Sequence, residues 1–384
     1  MPQDKQLRVL QVLPALISGG VERGTIEMVK ALTQAGHQAF VCSKGGKMVK
    51  DVKENGGEHF ALPVHSKNPI KIIFNIFRLR DIIRRHKINI VHARSRAPAW
   101  SAYFACKITK AHFVTTFHGT YAAENALKRL YNSIMLKGDK IIAISNFIVK
   151  HIETVYHAPT KDIEVIFRGV NTEAFDPEKV TTERIEKAYN HIGFTKEKLK
   201  GKTVILLPAR LTRWKGHLFL LRALKYLKKH DFICIMSGAV MPNHQDYLRE
   251  IELTISKYGL DDKVRICDVF SDMPALYSIC DIVVSTSTRP EAFGRTIIEA
   301  QAMGKLVVAT NHGGAAETIS NGQTGFHISP SDPSSLTEVL DRIISMPNKE
   351  KEKIVKAALG DVVKKYNVTT MCSHTIKVYQ SFFC

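Results

Sequence analysis

Short β-branched runs alternate with longer amphipathic stretches along this chain, and the whole alternation occurs twice. The first series passes through Arg8–Leu13, Ala39–Cys42, Phe60–Val64, Asn89–His92, Phe113–Phe117, Lys140–Ser145 and Glu164–Phe167. A charged, helix-prone stretch, Asp176–Lys202, interrupts it, and a second series follows through Thr203–Pro208, Phe232–Met236, Val264–Cys267, Ile282–Ser285 and Leu306–Ala309. Strands that alternate with helices imply parallel sheets joined by right-handed crossovers. The 384 residues also exceed what one core holds, since single cores stop growing at roughly 250–300 residues. The expected fold is therefore α/β, with two Rossmann-like, doubly wound parallel-sheet domains, residues 1–180 and 200–367, facing a cleft. Past Asp332 only helical spacing remains, in Ser335–Met346, Lys349–Lys365 and Thr369–Phe383. Ligands of doubly wound sheets gather outside the carboxyl ends of the strands, so residues just after each strand are the ones to read for chemistry.

Composition removes several classes. No apolar run reaches the roughly 18 residues that span a bilayer. The run Val9–Ile17 is broken by Gln11 and Pro14 and leads into a glycine turn instead of a cleavage site, so it reads as a strand of an unexported, cytoplasmic protein. Seven cysteines (Cys42, Cys106, Cys234, Cys267, Cys280, Cys372, Cys384) form no CxxC pair and no zinc-spaced cluster, which fits reduced thiols. Cys384 stands at the last position and not where a prenylation box needs it. The net charge is +19 and lopsided: residues 1–200 carry 32 basic and 18 acidic side chains, or +14, which leaves +5 for the remainder. An anionic partner would meet the first half.

Four motifs follow strands. Ile17-Ser18-Gly19-Gly20 opens a helix after the first strand, where glycines let the backbone approach a phosphate. Its spacing is not G-x-G-x-x-G, and the second strand ends at Cys42-Ser43-Lys44 without a ribose-binding acid, which disfavours a dinucleotide oxidoreductase. A tight turn with no ligand accounts equally well for the glycine pair. Thr116-Phe117-His118-Gly119 ends the fifth strand, where an imidazole can bond a hydroxyl or a developing charge; alone, such a histidine is more often structural. Pro208-Ala209-Arg210-Leu211-Thr212-Arg213-Trp214-Lys215-Gly216 follows the first strand of the second series, and Arg210 and Lys215 can both reach one diphosphate. Arg213 reads equally as a solvated loop charge. Arg289-Pro290-Glu291-Ala292-Phe293-Gly294-Arg295 fits a loop entering a helix near Phe293 with Glu299 two turns inside; taken singly, both glutamates are ordinary helix acids.

Glu291 and Glu299, seven residues between them, are followed by Ala302-Met303-Gly304, the strand Leu306–Ala309, His312-Gly313-Gly314-Ala315-Ala316-Glu317 and Asn321-Gly322-Gln323-Thr324-Gly325. With Gly19-Gly20, His118, the Arg210/Lys215 pair and the junction Arg168-Gly169-Val170-Asn171, this resembles glycosyltransferase family 4. That family includes bacterial phosphatidylinositol mannosyltransferases, lipopolysaccharide-core glucosyltransferases and sucrose synthases. The resemblance covers nearly the whole chain and implies the GT-B fold, an acceptor-binding first domain to which residues 368–384 return, and a nucleotide-binding second one. It implies transfer of a hexose with retention from a UDP- or GDP-sugar to a glycan or lipid-linked acceptor, as in lipopolysaccharide-core or cell-envelope synthesis, with no metal or other cofactor; the sequence holds no D-x-D. It further implies catalytic parts for His118, Glu291, Arg210 and Lys215, and donor contacts for Gly19, Gly20, Phe293, Gly294, Arg295 and Glu299. Two positions depart from the common pattern: Arg168 where many relatives have Asn, and Ala292 where proline is common.

Between Lys67 and Arg96 stand nine basic residues and one acid, Asp81, among bulky apolar ones. This reads either as an interfacial helix on anionic lipid or as a crossover helix with one face on the sheet and its charges in water. Peripheral attachment to the inner face of the cytoplasmic membrane is the corresponding expectation. A basic nucleic-acid-binding protein is the reading from another class, but the chain lacks aromatic-interleaved basic motifs and no nucleic-acid partner is expected. An epimerase or phosphorylase of the same fold is the enzymatic alternative.

Overall fold

A computed structural model describes residues 6–383 apart from 18, 122, 228 and 240–244. Ser18 of the first glycine motif and Cys384 thus lie outside the described residues. The chain divides into two compact units, Met1–Phe167 with Val368–Cys384, and Arg168–Asn367.

The first unit is built on seven parallel strands: β1 (Arg8–Val12), β2 (Gln38–Ser43), β3 (Glu58–Ala61), β4 (Ile90–Ala93), β5 (His112–Phe117), β6 (Lys140–Ala143) and β7 (Ile163–Val165). Their spatial order is β3-β2-β1-β4-β5-β6-β7. Chain direction across the sheet reverses between β1 and β4, where Val9 pairs with Ile90 and Val12 with Ala93. That is a topological switch point, with crevices at its carboxyl side. Because both sheet faces are covered, β1 and β4 read as near-continuous buried runs.

The helix Val368–Gln380 belongs to this unit and packs on the helix Gly20–Gln34. Its buried Tyr379 hydroxyl shares a 2.6 Å hydrogen bond with His92 Nδ1, and His92 Nε2 shares one of 2.7 Å with Thr116 Oγ1. A polar chain therefore ties the last helix to β4 and β5. Without those partners, each buried group would cost about 1–3 kcal/mol.

The helix Pro69–Arg85 shows how local sequence sets an element. Asn68 Oδ1 caps it by accepting from Ile70 N at 2.9 Å and Lys71 N at 3.3 Å, and Pro69 supplies the fixed φ of the first position. Arg84 and Arg85 in the last turn complement the helix dipole. Leu79 and Ile83 face inward, each contributing about 1.5–3 kcal/mol of burial, against the neighbouring helix Arg96–Thr109.

The second unit carries six parallel strands: β8 (Thr203–Pro208), β9 (Phe232–Ser237), β10 (Val264–Cys267), β11 (Ile282–Ser285), β12 (Leu306–Thr310) and β13 (Phe326–Ile328). Their order is β10-β9-β8-β11-β12-β13, so the switch point lies between β8 and β11. The core is formed by the β8, β9 and β11 side chains packed with Leu220, Leu224, Leu336 and Leu340 of the covering helices. Among the described residues, no helix is long and apolar enough to cross a membrane. The six described cysteines are all buried and none is in a disulfide; burial pushes Cys42 and Cys280 up to about 12.

Candidate functional site

The switch point of the second unit brings together the loop after β8 and the loop after β11. They meet through backbone. Gly216 sits at φ +78°, and a Cβ there would lie 1.9 Å from Thr286 O, so only glycine allows this approach. Thr286 Oγ1 donates to Lys215 O at 3.0 Å, and Thr288 N donates to Trp214 O at 2.7 Å.

These backbone ties set the side chains. Lys215 Nζ donates to Glu291 Oε1 at 2.7 Å, each side chain being 15% exposed. The ammonium also lies 4.3 Å from the centre of the Trp214 ring. Ser287 Oγ donates to the same Glu291 Oε1, and Ser285 Oγ reaches it at 3.4 Å. Three donors therefore converge on one carboxylate oxygen. The Ser287 carbonyl is itself held, by Thr310 Oγ1 at 3.0 Å and by His312 Nε2 at 2.8 Å. Behind the loop, Gly314 N donates to Glu291 O at 2.7 Å, and Gly313 lies so close that a Cβ would come within 2.6 Å of that oxygen.

The helix that follows starts at Arg295, with Gly294 as N-cap at φ +90°, so Glu299 lies one turn inside and not two. The reason is the left-handed Gly294, which delays helical dihedrals by a residue or two past Phe293. Phe293 is buried and meets Tyr366 edge-on, 6.0 Å between centroids. Glu299 is itself buried: its Oε1 accepts from Arg295 Nε at 2.9 Å and its Oε2 from the Tyr277 hydroxyl at 3.3 Å. Burial, together with the Glu299 charge, holds the Tyr277 phenol well above its ordinary range, so it donates as a neutral hydroxyl. Arg210 follows β8 with an exposed side chain that has no carboxylate partner among the described residues.

In the first unit Gly19, at φ +133°, caps the helix that begins at Gly20, one loop beyond β1. His118 follows β5 and is half-buried. Each unit is a separate body, and their candidate residues form two sets: Gly19, Gly20 and His118 in one, Arg210, Lys215, Glu291, Phe293, Gly294, Arg295 and Glu299 in the other.

The basic segment Lys67–Arg96 divides into two parts. On the helix Pro69–Arg85 one stripe is open to solvent, Ile70 at 64%, Ile73 at 53%, Phe74 at 62% and Phe77 at 46% exposure, while Leu79 and Ile83 are buried. Lys67, Lys71, Arg78, Arg84 and Arg85 are exposed around it, and Asp81 pairs with Arg80. Arg94, at 5% exposure, lies inside, its Nε donating to Gln11 Oε1 at 2.8 Å, so it takes no part in that surface. Arg96 donates to Asn132 Oδ1 at 2.9 Å and covers the Tyr121 ring at 4.3 Å. A charge run looks uniform in sequence because strand ends and helix faces are indistinguishable there.

Ser285, Ser287 and Tyr277 were not among the residues selected from sequence, and His312 stood there only within the segment His312–Glu317, without a role of its own. Ser285 and Ser287 stand two apart as β11 runs out, a spacing that puts two hydroxyls on one face, and that is the signal that marks them.

Comparison with known proteins places this arrangement. The family profile described as glycosyl transferases group 1 matches residues 191–360, and that described as Glycosyltransferase Family 4 matches residues 18–174. The crystal structure of a glycosyltransferase from Rickettsia africae ESF-5 is 43% identical, covers 99% of each chain and superposes with a TM-score of 0.90. The Alr3699/HepE protein of Anabaena, solved in complex with UDP-glucose, is 21% identical over 98% of this chain and all of that one, with a TM-score of 0.81. An uncharacterised glycosyltransferase of Methanocaldococcus jannaschii is 24% identical over 96% of this chain and 95% of its own.

Proposed function

Since the chain belongs to glycosyltransferase family 4 and is a retaining, hexosyl-transferring enzyme of that family, we propose that its donor is a UDP- or GDP-hexose and its acceptor an anionic, lipid-linked glycan of the cell envelope. The observation that supports the donor half is the Lys215–Glu291 pair, a half-buried cation and carboxylate 2.7 Å apart at the carboxyl side of β8 and β11. On donor binding Lys215 turns to the diphosphate with Arg210, and Glu291 turns to a sugar hydroxyl. Glu299, oriented by Arg295 and Tyr277, takes the ribose hydroxyls. Amides around Phe293–Arg295 meet the phosphate and sugar, and His118 stands by the anomeric carbon.

The chemistry is leaving-group stabilisation. The bond from the anomeric carbon to the diphosphate oxygen breaks, and the acceptor hydroxyl oxygen bonds that carbon on the face of departure. The hydroxyl proton passes to the departing phosphate. Cations fixed beforehand lower the barrier because their positions need no reorganisation as charge develops. Thermal shift against UDP- and GDP-sugars, followed by product analysis with a labelled donor, tests this. A rise in melting temperature with one nucleotide and transfer of label to an acceptor is expected; epimerised donor, or stabilisation by oligonucleotides alone, overturns it.

Support for the acceptor half comes from the first unit, with 26 basic against 12 acidic side chains, an excess of +14, and its open stripe Ile70, Ile73, Phe74, Phe77 rimmed by Lys and Arg. A basic rim around exposed apolar side chains fits an anionic bilayer surface, and the protein would attach there peripherally. Sedimentation with vesicles containing phosphatidylglycerol at moderate salt should retain the wild type and lose both Arg84→Glu/Arg85→Glu and Phe74→Ser/Phe77→Ser. No wild-type binding, or no loss in either double variant, removes the membrane half.

A further inference from the structure

Arg96 opens the helix that follows β4, one strand away from β5 and the His118 loop. Its guanidinium is fixed twice: Nη1 donates to Asn132 Oδ1 at 2.9 Å, and the plane lies 4.3 Å from the centre of the Tyr121 ring, three residues beyond His118. Both supports are themselves rigid. Asn132 is 1% exposed, and the Tyr121 backbone is held by His151 Nε2 at 3.2 Å and by the Tyr156 hydroxyl at 3.1 Å. Nothing here neutralises the arginine, since no carboxylate pairs with it among the described residues. Its neighbour in sequence, Arg94, differs in having the Glu27 charge close by.

Tyr131, next to the helix position that supplies Asn132, lies close enough to Arg96 for the guanidinium charge to act on its phenol. Its ring stacks on Trp100 at 6.2 Å, and Trp100 Nε1 donates to Tyr131 O at 3.2 Å. The Tyr131 hydroxyl oxygen is buried and has no hydrogen-bond partner among the described residues. A buried phenol without a partner costs about 1–3 kcal/mol, and a ligand hydroxyl or oxyanion would relieve it. A preset guanidinium, an unsatisfied hydroxyl and aromatic faces side by side are the components that recognise a sugar carrying an oxyanion.

We propose that Arg96 and the Tyr131 hydroxyl form a binding subsite for a phosphate or carboxylate borne by the acceptor sugar. The inference rests on the reading that the first unit receives the acceptor. It narrows that acceptor to an acidic glycan whose charged group lies within reach of the His118 loop. It also separates Arg96 from the membrane-facing charges on Pro69–Arg85.

Titration calorimetry of the full chain, with UDP or GDP, whichever binds, saturating so that the second unit's phosphate contacts are filled, provides the test. Glucose 6-phosphate and glucuronate serve as probes for the two oxyanions. At least one should bind in the millimolar range, and Arg96→Gln should weaken it at least tenfold, the scale of a lost charge-assisted hydrogen bond. Arg96→Lys, which keeps charge but not the fork, should fall between. Tyr131→Phe, which removes only the hydroxyl, should weaken binding at least threefold and serves if Arg96→Gln does not fold. Lys30→Gln, which removes an exposed charge of the same unit, should match the wild type. No binding of either probe by the wild type, or wild-type affinity in both Arg96→Gln and Tyr131→Phe, overturns the subsite. Absence of binding by both UDP and GDP in the preliminary titrations would instead remove the donor reading, which makes the two failures distinct.

Discussion

Gly216→Ala is the substitution that most directly probes how the second unit holds Lys215 against Glu291. The added Cβ would lie 1.9 Å from Thr286 O and 2.9 Å from its carbonyl carbon. Even close C–H···O contacts keep roughly 3.3 Å, so the two loops must part by about 1.4 Å. Thr286 cannot yield cheaply, being fully buried with its hydroxyl donated to Lys215 O and Gly216 O. Overpacking of this kind costs about 1–3 kcal/mol, and a side chain at φ +78° adds about 1 kcal/mol. At about 2–4 °C per kcal/mol for a unit of this size, the melting temperature should drop by roughly 5–15 °C. A misplacement of about 1 Å near the reacting groups should also lower turnover by about 100-fold. Gly193→Ala is the matched control: φ is +66° and nothing lies within 4 Å of the added Cβ, so only the strain remains. Scanning fluorimetry and nucleotide release from the accepted donor, run on both variants, give the comparison. If Gly216→Ala melts with Gly193→Ala and turns over within threefold of the wild type, the loop contact does not set the site.

Lys215→Ala and Glu291→Ala should each lower turnover at least tenfold with the far-ultraviolet circular dichroism unchanged, the scale of one lost electrostatic contact; near-normal rates in both would overturn the donor assignment. Burial lowers His217 from 6.5 to about 4, so it folds neutral. Its stabilisation is complete above pH 6.5 and lost as pH falls toward 4, about 3 kcal/mol in all, which urea titrations at pH 7 and pH 4 should show shrinking in His217→Phe. Tyr379→Phe leaves buried His92 Nδ1 without its 2.6 Å partner and should cost about 1–3 kcal/mol in the same assay, whereas an unchanged unfolding midpoint would show that water replaces the phenol.

The strand series was legible because both sheets are parallel and covered on two faces, which writes each strand as a near-continuous apolar run. Phe326–Ile328 escaped because His327 breaks its apolar run, whereas β7, as short and also at a sheet edge, sits beside the continuous apolar run Val165–Phe167. Lys215 and Glu291 were legible as residue types after strands, but their direct pairing was not. It joins positions 76 apart and depends on the backbone contact at Gly216. Ser287 was marked only by its two-residue spacing from Ser285, because its hydroxyl matters through Glu291 and a serine carries no charge of its own. The charge of Lys67–Arg96 was plain, yet its division was not, because burial of Arg94 and capture of Arg96 by Tyr121 depend on β4 lying between β1 and β5.

The helix Val368–Gln380 completes a body whose other residues end at Phe167. Everything from Arg168 to Asn367 is therefore an insertion, with its two ends laid side by side where Val170 pairs with Asn367 and Val170 N donates to Tyr366 O at 2.8 Å. On the ribosome the order of emergence and the order of completion must differ. The first body appears first but waits for its last helix while the inserted one is made, about 10–40 s at ordinary synthesis rates. Until then the surface of Gly20–Gln34 that receives Val368–Gln380 stands bare, with His92 lacking its phenol. A stop codon near position 368 would thus spare the inserted body and leave the first one unfinished, and chaperone dependence should concentrate on that open face.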